Sequence, residues 1–191
     1  MNKFFGAVDS TYKLGSLKFA DGSIIDLSHE IVLQGTNVNG ETLAGTNFND
    51  SLTGNIGDDI ILGRLGDDII IGGKGNDSID GGSGTDRVSY SNSTAAVVVN
   101  LGITTAQSGG YAAGDTLLNI ENITGSSYND TLTGSSVANN INGGSGVDTA
   151  SYANSTAAVN VNLAVTTAQS GGYAAGDTLA SIENIIGSAY N

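Results

Sequence analysis

The sequence predicts an all-β chain wound as a coil of short strands, and three observations carry that prediction. Residues 45–89 consist of five gapless nine-residue units. An aliphatic side chain recurs at the eighth place of every unit. The composition, 29 Gly, no Pro, no Trp and 4 Phe in 191 residues, supplies turns in plenty but little bulk for a large globular interior.

The units read GTNFNDSLT, GNIGDDIIL, GRLGDDIII, GGKGNDSID and GGSGTDRVS. Position one is Gly45, Gly54, Gly63, Gly72 and Gly81, position six is Asp50, Asp59, Asp68, Asp77 and Asp86, and position eight is Leu52, Ile61, Ile70, Ile79 and Val88. Glycine lets a short loop take positive φ and brings backbone carbonyls close together. A carboxylate at the loop's end adds to those carbonyls, giving the all-oxygen surroundings a hard cation such as Ca²⁺ prefers. The aliphatic residue two places later faces inward because successive side chains of a strand alternate between faces. Each unit is therefore one loop and one short strand, half a turn of the coil.

The pattern matches G-G-x-G-x-D-x-U-x and resembles the repeats-in-toxin (RTX) family, the haemolysin-type calcium-binding nonapeptides of secreted bacterial proteins. The resemblance implies an all-β, calcium-bound parallel β-roll with two nonapeptides per turn, β-rich inserts and an N-terminal capping segment. Loops eighteen residues apart then share an edge, with Asp50, Asp68 and Asp86 on one and Asp59 and Asp77 on the other. Stacked strands lie about 4.8 Å apart, so each ion sits between a loop and its neighbour one turn on. About three sites are expected, pairing 45–50 with 63–68, 63–68 with 81–86, and 54–59 with 72–77. The implied ligand set takes positions one, three, five and six: Gly45, Asn47, Asn49, Asp50; Gly54, Ile56, Asp58, Asp59; Gly63, Leu65, Asp67, Asp68; Gly72, Lys74, Asn76, Asp77; Gly81, Ser83, Thr85, Asp86.

A longer period overlies the first. Residues 86–129 and 148–191 align without gaps, and 34 of the 44 positions are identical, so this is a duplication. Between the copies, residues 125–151 form three weaker nonapeptides in which Asp130 and Asp148 keep position six while Asn139 replaces the middle aspartate. At least one further Ca²⁺ site is expected there, drawing on Asp130, Gly143, Ser145 and Asp148.

Elsewhere the nine-residue rule lapses. In the inserts, 90–124 and 152–186, Val97–Leu101 and Val159–Leu163 read as half-buried strands and Ser108-Gly109-Gly110 and Ser170-Gly171-Gly172 as turns. Asp115 and Asp177 read as exposed turn aspartates, with ligation as the alternative. Residues 1–35 contain Leu17–Leu27, a strand, an Asp-Gly turn and a strand. That segment resembles the F-A-D-G-T flank of the family and is expected to cap the roll. Residues 36–89 form the first array, with 36–44 a decayed unit in which Glu41 makes a poor ligand. Residues 187–191 read as the start of a third array, the sequence as an excerpt of a longer protein.

The formal net charge is −13, and 8 of the 15 aspartates lie within 45–89. Neighbouring stacked carboxylates repel by about 0.8 kcal/mol even in water, and four bound Ca²⁺ would bring the charge from −13 to −5. Folding is therefore expected to couple to calcium. No Lys or Arg follows Arg87, which argues against nucleic acid or an anionic membrane as partner. No apolar run approaches a membrane span or a signal peptide. There is no Cys and so no disulfide. The family resemblance implies export through type I secretion machinery, a secreted or bacterial cell-surface location, and neighbouring domains on the same long chain.

Catalysis is not expected. His29 is the sole histidine, and His29-Glu30 lacks the second ligand of H-E-x-x-H because position 33 is Leu. Gly73-Lys74 is followed by Gly75, so it is no phosphate loop. The function expected is a calcium-folded segment of a secreted adhesin or toxin. The accessory roll of a secreted hydrolase is the alternative. A surface-ligand or ice-binding module fits less well, because positions seven and nine, from Ser51/Thr53 to Arg87/Ser89, present no regular array.

Overall fold

A computed structural model describes residues 16–18, 24–26 and 28–190. β1 (Ser16–Lys18) and β2 (Ile24–Asp26) pair antiparallel, as the strand–turn–strand reading expects. The Asp-Gly turn between them and most of the proposed cap lie outside the described residues. From β3 onward every ladder is parallel, and the fold is a parallel β-roll.

The nonapeptides build two walls, one of them extended by a strand at 32–34 from the segment before the first array. β3 (Val32–Gln34), β5 (Ser51–Ile56), β7 (Ile69–Lys74) and β9 (Arg87–Ser89) stack in one sheet, while β4 (Thr42–Ala44), β6 (Ile60–Leu65) and β8 (Ser78–Ser83) stack in another. Register is fixed at eighteen residues, with Leu52 opposite Ile70 and Ile61 opposite Ile79. A nine-residue unit spans half a turn, so equivalent positions of alternate units fall in line. β5 to β8 run six residues, because pairing between turns continues past the strand into the start of the next unit, with Asn55 opposite Gly73 and Arg64 opposite Gly82.

The core is built on position-eight side chains from both walls and is extended by insert residues such as Tyr90, Val97 and Val99. Leu52, Ile61, Ile70 and Val88 are completely buried, as are Ile123, Leu132 and Ile141 further along. Only one inward side chain per half-turn meets its counterpart across the roll, so the interior is thin and its stability depends on backbone ladders and loops. Among the described residues, no helix is long and apolar enough to cross a membrane.

The inserts leave the roll and return in register. After β9 the chain forms β10 (Val98–Asn100), a 3₁₀ turn η1 (Gly110–Ala112), and β11 (Thr116–Leu118), which pairs with β8. β12 (Asn122–Thr124) then pairs with β9. β13 (Thr131–Thr133), β14 (Asn140–Asn142) and β15 (Thr149–Ser151) carry the coil on through the second array. The second insert passes through η2 (Gly172–Ala174) to β16 (Thr178–Ala180) and β17 (Asn184–Ile186).

One expected strand does not form as such. Val159–Leu163 contributes only an isolated bridge between Asn160 and Ser170, whereas its counterpart β10 is held by β13.

Candidate metal sites in the turn loops

The position-six aspartates form two ladders along the edges of the roll. Asp50 N–H donates to Asp68 Oδ1 at 2.7 Å, and Asp68 N–H to Asp86 Oδ1 at 2.8 Å. On the opposite edge Asp59 N–H donates to Asp77 Oδ1 at 2.9 Å. Each bond links residues eighteen apart, which confirms the assignment of aspartates to edges. All five carboxylates are buried.

One oxygen of each carboxylate is used in this ladder; the other distinguishes two kinds of loop. Oδ2 of Asp59, Asp68, Asp77, Asp86 and Asp148 is buried and has no hydrogen-bond partner. Leaving a buried charged oxygen without a partner is costly unless a cation meets it. These oxygens point at the space above the position-one glycines. A Cβ at Gly72 would lie 2.5 Å from Asp77 Oδ2, and at Gly54 and Gly63 the next turn's position-one carbonyl bounds the same space. The donor set at each loop is thus carboxylate and carbonyl oxygen only, and the residues fit Ca²⁺. Among the described residues no three His, Cys, Asp or Glu side chains converge.

The backbone of these open loops requires positive φ at position two, found at Asn55, Arg64, Gly73, Gly82 and Gly144, and at position four, found at Gly57, Gly66, Gly75, Gly84 and Gly146. The loops at 45–50, 125–130 and 134–139 are closed instead. Thr46 donates its N–H and hydroxyl to Asp50, Ser126 donates N–H to Asp130 Oδ2 at 2.5 Å and hydroxyl to Oδ1 at 2.7 Å, and Ser135 N–H donates to Asn139 Oδ1 at 2.7 Å. Phe48, Tyr128 and Val137 N–H then bond the same hydroxyls. Glu41 is held in the same manner by Thr36.

Positions one and six of the implied ligand set therefore come together. Positions three and five do so less. The carbonyls of Lys74 and Ser83 already accept from Gly57 and Gly66 N–H. At position five, Asn49, Asp58 and Asp67 are turned outward, each accepting from the backbone N–H of position five one turn on.

Asp115 and Asp177 are not exposed turn residues: both are wholly buried. Asp115 Oδ1 accepts from Asp77 N–H and its Oδ2 from Tyr90 hydroxyl at 3.0 Å, and Asp177 repeats this with Asn139 and Tyr152. They occupy ladder positions at which a tyrosine closes the second oxygen. Two further ladder members escape the nine-residue count. Glu121 Oε2 accepts from Asp86 N–H and Glu183 Oε2 from Asp148 N–H, both at 2.8 Å. The signal was present in Glu121-Asn122-Ile123-Thr124-Gly125, which keeps the acidic–x–aliphatic–x–Gly end of a repeat after a shortened loop.

Burial sets the electrostatics. It pushes Asp77 and Asp86 up to about 6 and Asp115 up to about 7, repulsion from stacked carboxylates adding to the rise and backbone N–H donors opposing it. Asp59, Asp68 and Asp148 are raised for the same reason. A divalent cation relieves both burial and repulsion.

Comparison with curated proteins returns no match. The family model described as RTX calcium-binding nonapeptide repeat (4 copies) matches residues 37–70, 62–92 and 119–150, which takes in both arrays. With its stacked Asp ladders and glycine cradles, the chain carries the calcium-binding nonapeptide repeats of the RTX family.

Proposed function

We propose that this chain is a calcium-folded β-roll segment of a larger secreted bacterial adhesin or toxin, which spaces or presents neighbouring domains once outside the cell. The observation that carries the reading is the set of five buried, unpartnered carboxylate oxygens, each aimed into a glycine-floored loop. In a low-calcium compartment these oxygens disfavour the fold; where calcium is abundant, the ion supplies the missing partner, and folding follows export through a type I channel. Of the three pairs in the first array, 54–59 with 72–77 and 63–68 with 81–86 have open oxygens in both loops. The pair 45–50 with 63–68 is weaker, since Thr46 closes Asp50. In the second array the site between Asp130 and Asp148 rests on Asp148.

The roll supplies a scaffold rather than a reaction centre. A far-UV circular dichroism titration of chelator-stripped protein, with Mg²⁺ as control and Asp59→Ala/Asp77→Ala as second sample, tests the reading. A steep calcium-specific gain of β signal that the double variant blunts is expected. A stripped chain already fully folded and indifferent to calcium would refute metal-coupled folding.

A further inference from the structure

The duplicated inserts each end with three residues between one three-residue strand and the next, where the repeats have six between positions nine and seven. Asn119-Ile120-Glu121 follows β11, and Ser181-Ile182-Glu183 follows β16. Asn119 and Ser181 both take φ of 51°, and their carbonyls stand over Gly81 and Gly143. A Cβ added at Gly81 would collide with Asn119 O and lie 2.6 Å from Asp86 Oδ2. At Gly143 the same space is bounded by Ser181 O and Asp148 Oδ2. Gly63 within the array shows the same surroundings, bounded by Asp68 Oδ2 and Gly81 O. The short loops thus reproduce one half of a repeat-type cradle without the nonapeptide sequence.

Asp86 and Asp148 are wholly buried, and Oδ2 of each has no partner. Across each seam stands a second carboxylate, tied in place by the 2.8 Å bond from the aspartate's own N–H to Glu121 or Glu183. That bond occupies Oε2. A glutamate is one methylene longer than aspartate, which compensates for a loop too short to bring the backbone as near.

We propose that each insert returns to the roll over an additional calcium site, one shared by Asp86, Glu121 and the Asn119 carbonyl, the other by Asp148, Glu183 and the Ser181 carbonyl. The proposal rests on the reading of the roll as calcium-binding and extends it to residues outside the nonapeptides. It makes the inserts metal-clamped parts of the coil, so that calcium fastens the end of each insert to the array before it. The two seams have one geometry in two separate copies, and this repetition supports a site at each.

The test is a count of bound Ca²⁺ by native mass spectrometry at saturating calcium, on wild type, Glu121→Gln, Glu183→Gln and the double variant, with Asp59→Asn as a control in the first array. Glutamine keeps the acceptor for the aspartate N–H, and circular dichroism establishes that each variant folds. Each single variant is expected to lose one ion and the double variant two, with the β signal at saturating calcium retained. A full wild-type count in folded variants overturns the proposal. Should the double variant not fold, the single variants decide by the same count; should these also not fold, Glu121→Asp and Glu183→Asp decide, a tenfold or larger rise in the calcium concentration needed for the last-bound ion supporting the site and an unchanged one overturning it. A wild type that binds no calcium would instead overturn the calcium reading of the whole roll.

Discussion

The loops at 54–59, 63–68, 72–77 and 81–86 and those at 125–130 and 134–139 have the same length and opposite ways of completing the residue at their end. In the first group the chain takes positive φ at positions two and four, and the second carboxylate oxygen is left buried and unpartnered. In the second, Ser126 and Ser135 turn back to bond Asp130 and Asn139, and position four carries Tyr128 or Val137. Serine donors thus fill locally the role that the proposed function gives to a cation in the first array. On the proposed reading, the first array would depend on metal for stability, while the loops at 125–130 and 134–139 have protein donors on the residue at their end.

Calcium removal should have the largest effect and separate the regions. In hydrogen exchange with chelator, backbone amides of 54–89 should lose most of their protection, and those of 125–142 should keep more. Equal loss in both segments would show that the hydroxyl caps do not substitute for metal. Next in size, Asp68→Ala removes a buried charge partner on the ladder and an open oxygen. It should cost about 3 kcal/mol of calcium-bound stability, whereas Asp130→Asn, which imitates the natural Asn139, should cost under about 1 kcal/mol; urea unfolding at saturating calcium compares them.

Exchanging the loop type sharpens the contrast. Ser126→Gly should lower stability in chelator by about 1 kcal/mol through loss of the hydroxyl bonds. Gly73→Ala, at φ 109° and against the Asn55 carbonyl, should lower stability with calcium by about 1–2 kcal/mol. Thermal melts with and without calcium measure both, and a Ser126→Gly variant unchanged in chelator would contradict the capping role.

The last effect concerns protons. Asp77 and Asp86 near 6 and Asp115 near 7 lie above the ordinary value of 3.8, so the folded chain holds protons that the unfolded chain has released. Without calcium, their contribution to stability is fully present below about pH 4 and is lost as pH rises through 6 to 7. Chelated protein should therefore show more β signal at pH 5 than at pH 8, and the reverse order would overturn this account.

Much of the site could be read directly from the letters. Glycine at position one, Asp at six and an aliphatic at eight placed the loops, edges and core from Gly45 to Val88, because a period of nine with strand alternation leaves one register. The two loop types were also written there, as Gly at position four against Ser or Thr at two, but only the hydrogen bonds give that difference meaning. Asp115 looked like a surface turn residue because its partners, Tyr90 and the Asp77 backbone, are 25 and 38 residues away. Glu121 was hidden because its loop is three residues short and breaks the count.

By itself the sequence determined the coil, since local repetition fixes local geometry and identical units stack in one way. Which oxygens stay open was decided by tertiary structure. That depends on whether a hydroxyl from the same loop, a tyrosine from an insert or nothing at all comes within reach of each buried carboxylate. The way the inserts rejoin the roll was settled there too, because it turns on register between strands 35 to 38 residues apart, as between Arg87 and Asn122 or Ser78 and Thr116. No nine-residue period encodes such a span.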